Sequence, residues 1–144
     1  MLEQGYYIAL DYGTKKVGVA VGQSLTCTTQ PLPQIPTAQL DNLQPLLTLF
    51  KQWEAKACIV GMPYGAQKET VGITQTVMAF VERLKAISPI PVFIMDEHLT
   101  TRTAKLLRQE LYPATGRKKK RTPQSIDSMA AALILESWFA ENNK

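Results

Sequence analysis

Asp11, the Asp96–Glu97 pair and Asp127 stand at the ends of apolar segments far apart in the chain. Asp11 follows Tyr-Tyr-Ile-Ala-Leu, Asp96 and Glu97 follow Val-Phe-Ile-Met, and Asp127 opens the last predicted helix. A carboxylate withdrawn from water is costly unless it is paired or its pKa shifts, so three such clusters suggest one shared cation site. Oxygen donors alone select hard cations, Mg²⁺ or Mn²⁺. A single histidine, His98, and two scattered cysteines do not make a zinc site. Carboxylates that hold two hard cations suit in-line attack of water on a phosphodiester. The run Arg117-Lys118-Lys119-Lys120-Arg121 offers a grip for a polyanion. Acids for a metal and bases for phosphate together point to nucleic-acid chemistry.

Each residue also has a simpler reading. Asp11 can anchor the turn before Gly13 by accepting backbone N–H bonds. Asp96 can anchor the start of a following helix, and Asp127 can answer a helix dipole without binding anything. The 117–121 run can be a solvated loop, and His98 a polar residue at a helix start. It is the coincidence of the three acid clusters that favours a site. Trp53 and Trp138 fall on predicted helices and read as core or interface aromatics.

The elements that would position these groups follow from periodicity and punctuation. Tyr6–Asp11 and Val17–Val21 read as paired strands around the turn Tyr12–Lys16, with Gly18 and Gly22 permitting close backbone approach or a bulge. A third strand is expected near Leu25–Gln30, stopped by Pro31, Pro33 and Pro36. Asp41 is the expected cap of a helix from Asn42 to about Trp53, with Leu43, Leu46, Leu47 and Phe50 on one face. Ala57–Val60 reads as a buried strand, and Thr70–Ile87 as a helix carrying Val77, Phe80, Val81 and Leu84 on one side. Val92–Met95 is the next strand. A helix then runs from Thr100 or Thr101 through Leu111, and a basic loop covers 112–121. The last helix has Thr122 as cap and Pro123 at its first position and reaches about Ala140. At 100° per residue Asp127 lies about 20° from Ile134 and about 60° from Ala130, on an apolar side that should face a sheet. Three meandering strands followed by strand–helix alternation imply an α/β fold, a mixed sheet flanked by helices. In such sheets functional groups gather at the carboxyl ends of the parallel strands.

At 144 residues, with 45% hydrophobic and 19% charged residues, the chain reads as one globular domain over 1–144. No apolar stretch approaches the roughly 20 residues that span a bilayer, and the start Met-Leu-Glu-Gln-Gly is unlike a signal peptide. Cys27 and Cys58 have neither CxxC nor disulfide-framework spacing, in keeping with a reducing compartment. The expected location is the cytoplasm. The formal net charge of +4 favours acidic partners modestly; its concentration at 117–121 says more.

Five segments in order carry a resemblance: Leu-Asp-Tyr-Gly-Thr-Lys-Lys-Val-Gly-Val-Ala (10–20), Val-Gly-Met-Pro (60–63), Asp-Glu-His-Leu-Thr-Thr (96–101), the 117–121 run, and Ile-Asp-Ser-Met-Ala-Ala-Ala-Leu-Ile-Leu (126–135). Together they resemble the YqgF (RuvX-like) family, pre-16S rRNA nucleases also described as Holliday junction resolvases. The resemblance implies a ribonuclease H-like fold with a five-stranded mixed sheet. It also implies a cytoplasmic role in ribosome biogenesis, trimming the 5′ end of the small-subunit rRNA precursor. Asp11, Glu97 and Asp127 match the family's acidic site, with Mg²⁺ or Mn²⁺ as the implied cofactor. Lys16 and His98 stand where the family commonly has arginine and, with Arg117–Arg121, form the implied substrate grip.

The loop after Pro63 lacks the family's usual Asn and Asp-Gly. The strand Ala57–Val60 ends without the acid that RuvC-type resolvases place there, so Glu97 would have to substitute from a neighbouring strand. Structured RNA is the expected partner, with branched DNA, or non-enzymatic binding linked to transcription, as alternatives. A resolvase cutting two strands symmetrically usually needs a two-fold dimer, and no dimer signature is legible. Phosphate-binding ATPases that share Asp-x-Gly before a hairpin need two such domains, and this chain has room for one.

Overall fold

A computed structural model describes residues 3–13, 15–62, 69–96 and 123–142, with the backbone alone at 69–74, 96 and 123–128. Five strands form one sheet: β1 (Tyr6–Tyr12), β2 (Lys16–Gln23), β3 (Thr28–Pro36), β4 (Cys58–Met62) and β5 (Val92–Asp96), in the spatial order β3-β2-β1-β4-β5. β1, β2 and β3 form an antiparallel meander, whereas β1–β4 and β4–β5 pair in parallel. The helices are α1 (Gln44–Trp53), α2 (Glu69–Ile87) and α3 (Pro123–Asn142), with a short 3₁₀ turn at Thr37–Asp41 before α1. The expected mixed sheet flanked by helices is what forms. The helix expected after Thr100 and the basic loop lie outside the described residues.

The central strand β1 explains the two-layered core. Its residues alternate between faces: Tyr7 and Ala9 enter one apolar cluster, Ile8 and Leu10 the other. The first cluster is completed by Ala131, Ile134, Leu135, Trp138 and Phe139 of α3. The second holds Leu46 and Phe50 of α1 with Val77, Phe80, Val81 and Leu84 of α2, the stripes expected from helical spacing. Tyr7 meets Trp138 and Phe139 at ring-centroid distances of 5.3 and 5.6 Å.

Two expectations are corrected. β3 does not stop at the prolines but runs through Pro31 and Pro33 to Pro36, with Leu32 paired to Val19. β3 is an edge of the described sheet, where a missing N–H can face away from the ladder at little cost. Leu25 belongs instead to the preceding turn and is 65% exposed. Nor does Asp41 cap α1. It ends the 3₁₀ turn, and the Asn42 side-chain oxygen accepts the Gln44 N–H instead (2.9 Å). The Arg83 guanidinium of α2 donates to the carbonyls of Leu40 (3.0 Å) and Asp41 (2.9 Å), clamping that turn.

The glycines of β2 mark a strand irregularity at Gly18 and a close contact at Gly22, the two outcomes expected of them. The β2–β3 register shifts between Val17 and Val19, placing an irregularity at Gly18. A Cβ at Gly22 would lie 2.7 Å from Leu135 Cδ2, 2.9 Å from Phe139 Cε2 and 3.0 Å from the Thr28 carbonyl oxygen. Gly22→Ala therefore should cost about 1–3 kcal/mol through overpacking. Urea unfolding should show a lower midpoint with an unchanged slope; an unshifted midpoint would mean that α3 yields freely.

Candidate functional site

Asp11 is the last residue but one of β1 and is half-buried. Its register partners are Gly18 on β2 and Gly61 on β4, so neither neighbour presents a side chain beside it. By strand parity Asp11 follows Tyr7 and Ala9, which puts it on the face covered by α3. Tyr12, of the opposite parity, packs on Phe80 of α2 at 4.8 Å and pins the end of the strand.

Across the sheet, Gly61 pairs with Met95 and Met62 with Asp96. Asp11 and Met95 are thus at one level, two strand spacings or about 10 Å apart at Cα. Position 96 has the parity of Val92 and Ile94, the side of α1 and α2, whereas Met95 joins the α3 cluster and Phe93 stacks on Trp138. β4, lying between, ends at Gly61–Met62 and carries no acid.

Position 127 lies in α3 four, seven and eleven residues before Ala131, Ile134 and Trp138, on one helical stripe. Those three residues are buried in the cluster on β1. From Trp138, beside Tyr7, back to position 127 is about 16 Å along the helix. From Tyr7 to Asp11 is about 13 Å along the strand. Lys16 opens β2 and is exposed. Glu97, His98 and Arg117 to Arg121 lie outside the described residues.

Among the described residues no group of three or more His, Cys, Asp or Glu side chains could hold a metal. Glu97 and the side chain of Asp127 are not in that set. Cys58 is wholly buried, and burial pushes its thiol far above the ordinary value of 9.0, so it is kept in its un-ionised form. Cys27 is exposed and, like Cys58, free of any disulfide. A cavity of about 480 Å³ lined by Tyr6, Trp53, Lys51 and Lys56 lies at the start of β1, the opposite end from Asp11. No helix among the described residues is long and apolar enough to cross a membrane.

The sequence also matches, over residues 5–141, the family model described as "RuvX: Holliday junction resolvase". The chain belongs to the RuvX family. Its relatives include a protein of Buchnera aphidicola subsp. Baizongia pistaciae, 43% identical over 133 residues, which cover 92% of this chain and 94% of that one. One from Saccharophagus degradans is 38% identical over 136 residues, covering 94% and 93%. Both bear the name "Putative pre-16S rRNA nuclease". Among solved structures, T. thermophilus RuvC in complex with Holliday junction substrate superposes with a TM-score of 0.60 at 16% identity, covering 96% of each chain. Fowlpox virus resolvase with Holliday junction DNA gives 0.57 at 10% identity, covering 96% of this chain and 99% of that one. The RuvX chain therefore has the RuvC-type, ribonuclease H-like fold expected from its motifs.

One tie at this end of the sheet went unread in the sequence. Thr37, first residue of the 3₁₀ turn, donates its hydroxyl to the Gly13 carbonyl (2.7 Å) and its N–H to the Lys15 carbonyl (2.8 Å). Its partners lie more than twenty residues away, and a threonine after a proline carries no local signal of such a role.

Proposed function

We propose that this RuvX chain is a divalent-metal-dependent nuclease that hydrolyses phosphodiester bonds and processes the 5′ end of pre-16S rRNA. The observation that carries this reading is the register of Asp11. It ends the central strand on the α3 face, between two glycines, and the strand and helix spans from the Tyr7–Trp138 contact to positions 11 and 127 match within about 3 Å. The names borne by the relatives supply the substrate.

In this reading Asp11, Glu97 and Asp127 hold Mg²⁺ or Mn²⁺. The donor set fits such ions, because three carboxylates offer only oxygen, and glycine at 18 and 61 leaves room around Asp11. Asp96 falls on the other strand parity, which favours Glu97 as the third acid. A divalent ion held by these carboxylates would supply an activated water and charge neutralisation at the scissile phosphate. Lys16, His98 and Arg117 to Arg121 grip the substrate, and the lysines and arginines make binding salt-dependent.

The test is cleavage of a pre-16S precursor and a four-way DNA junction side by side, with Mg²⁺, with Mn²⁺ and with EDTA. Precursor cleavage at the 5′ side that disappears in EDTA is expected. Undiminished cutting in EDTA would overturn the metal-dependent reading. Cutting of the junction alone would move the protein to the resolvase activity that its family description names.

A further inference from the structure

We propose that Thr37 is a positioning residue for substrate binding: it holds the turn after Asp11 in the shape that presents Lys15 and Lys16 to backbone phosphates. This rests on the nuclease reading above and extends it to a residue outside the acidic motifs.

The geometry is a clasp across both arms of the β1–β2 hairpin. The Thr37 hydroxyl bonds the Gly13 carbonyl on the β1 side, and its N–H bonds the Lys15 carbonyl on the β2 side. Within the turn the Gly13 N–H donates to the Lys16 carbonyl (3.0 Å). That turn is tight, since a Cβ at Gly13 would lie 2.6 Å from the Lys16 oxygen. Thr37 itself rests on a fixed base, because its 3₁₀ turn buries Leu40 to 2% exposure and is gripped by Arg83.

What the clasp holds is cationic and available. Lys15 and Lys16 are exposed, and among the described residues no acid forms an ion pair with either. Gly13 is two residues beyond Asp11, about 7 Å of extended chain, so the two ammonium groups belong to the same sheet end as the acid. A lysine is a flexible point charge, and fixing its backbone narrows where that charge can go. Losing the hydroxyl leaves the Gly13 carbonyl without its side-chain donor and loosens the turn that the remaining backbone bonds hold.

The experiment is equilibrium binding of a labelled RNA spanning the pre-16S 5′ junction, in EDTA so that nothing is cut, over a salt series. Thr37→Val should weaken binding roughly five-fold and lower the slope of log affinity against log salt by about 1 to 2. Thr37→Ser, which keeps the hydroxyl, should bind as the parent does. In a Lys15→Ala/Lys16→Ala background, Thr37→Val should cause no further loss, because the groups it orients are gone. An unchanged salt slope in Thr37→Val, equal weakness in Thr37→Ser, or an additive loss in the double-lysine background would each overturn the proposal. Should Thr37→Val fail to show a cooperative melt, Thr37→Ala carries the same comparison. Parent protein that binds the RNA while Thr37→Val binds equally well overturns this inference alone. Parent protein that binds no RNA overturns it together with the precursor reading.

Discussion

Replacing Asp11 with asparagine is expected to abolish metal-dependent cleavage while leaving the fold and RNA binding intact. The substitution preserves shape and keeps one carbonyl-type oxygen, but it removes the charge that, in the proposed site, would hold a hard cation. Gly18 and Gly61 flank position 11, so no side chain at either register position stands ready to take over. Loss of metal-assisted charge stabilisation is worth several kcal/mol, or roughly a 10³-fold fall in single-turnover rate. Circular dichroism melting and RNA binding in EDTA should match the parent, which separates lost chemistry from lost structure. Cleavage within about two-fold of the parent would remove Asp11 from the reaction, and the nuclease proposal with it.

The largest loss of stability is expected from Phe139→Ala. Phe139 is 1% exposed, meets Tyr7 edge-on, and places its Cε2 2.9 Å from where a Cβ on Gly22 would stand. Truncation removes a full ring from a close-packed layer and should cost about 3–5 kcal/mol, a large part of a typical total of about 5–15 kcal/mol. Urea unfolding measures it. The same contact makes a coupled test. Phe139→Ala opens part of the space that Gly22→Ala lacks, so the double variant should lose less than the sum of the two. Strict additivity would mean that Leu135 alone sets the limit at Gly22.

The parts of the fold that were legible are those in which local pattern and tertiary demand agree. The stripe Val77, Phe80, Val81, Leu84 and the all-apolar β4 had to be buried, and they are. Gly22 signalled close approach or a bulge, and close approach is what forms. β3 was misread because proline was weighed as a breaker, and only the sheet order shows that this strand is an edge. The Asp41 cap failed for a related reason. A tertiary clamp from Arg83 holds the 3₁₀ turn; the cap position of α1 is Leu43, and the Asn42 side chain just before it accepts the Gln44 N–H.

Of the proposed site, only the placement of positions 11, 16, 96 and 127 on their elements can be compared with the sequence reading. An acid closing an apolar strand is visible in sequence, and so is the helical phase of Asp127 relative to Ile134. Glu97 was named through the motif resemblance; the structure adds only that position 96 has the strand parity of Val92 and Ile94, opposite to that of Phe93, which stacks on Trp138. Thr37 could not be read at all, since its meaning lies in two carbonyls that folding brings to it.

The prolines of β3 bear on assembly. Pro31, Pro33 and Pro36 have no amide hydrogen to give, so the outer rim of that strand is a poor template for a second copy to prolong the sheet. A resolvase that severs two arms of a junction works as a symmetric pair, and among the described residues the helical layers and the β5 margin lack this obstacle to pairing. The same rim guards against edge-to-edge aggregation of one copy on another.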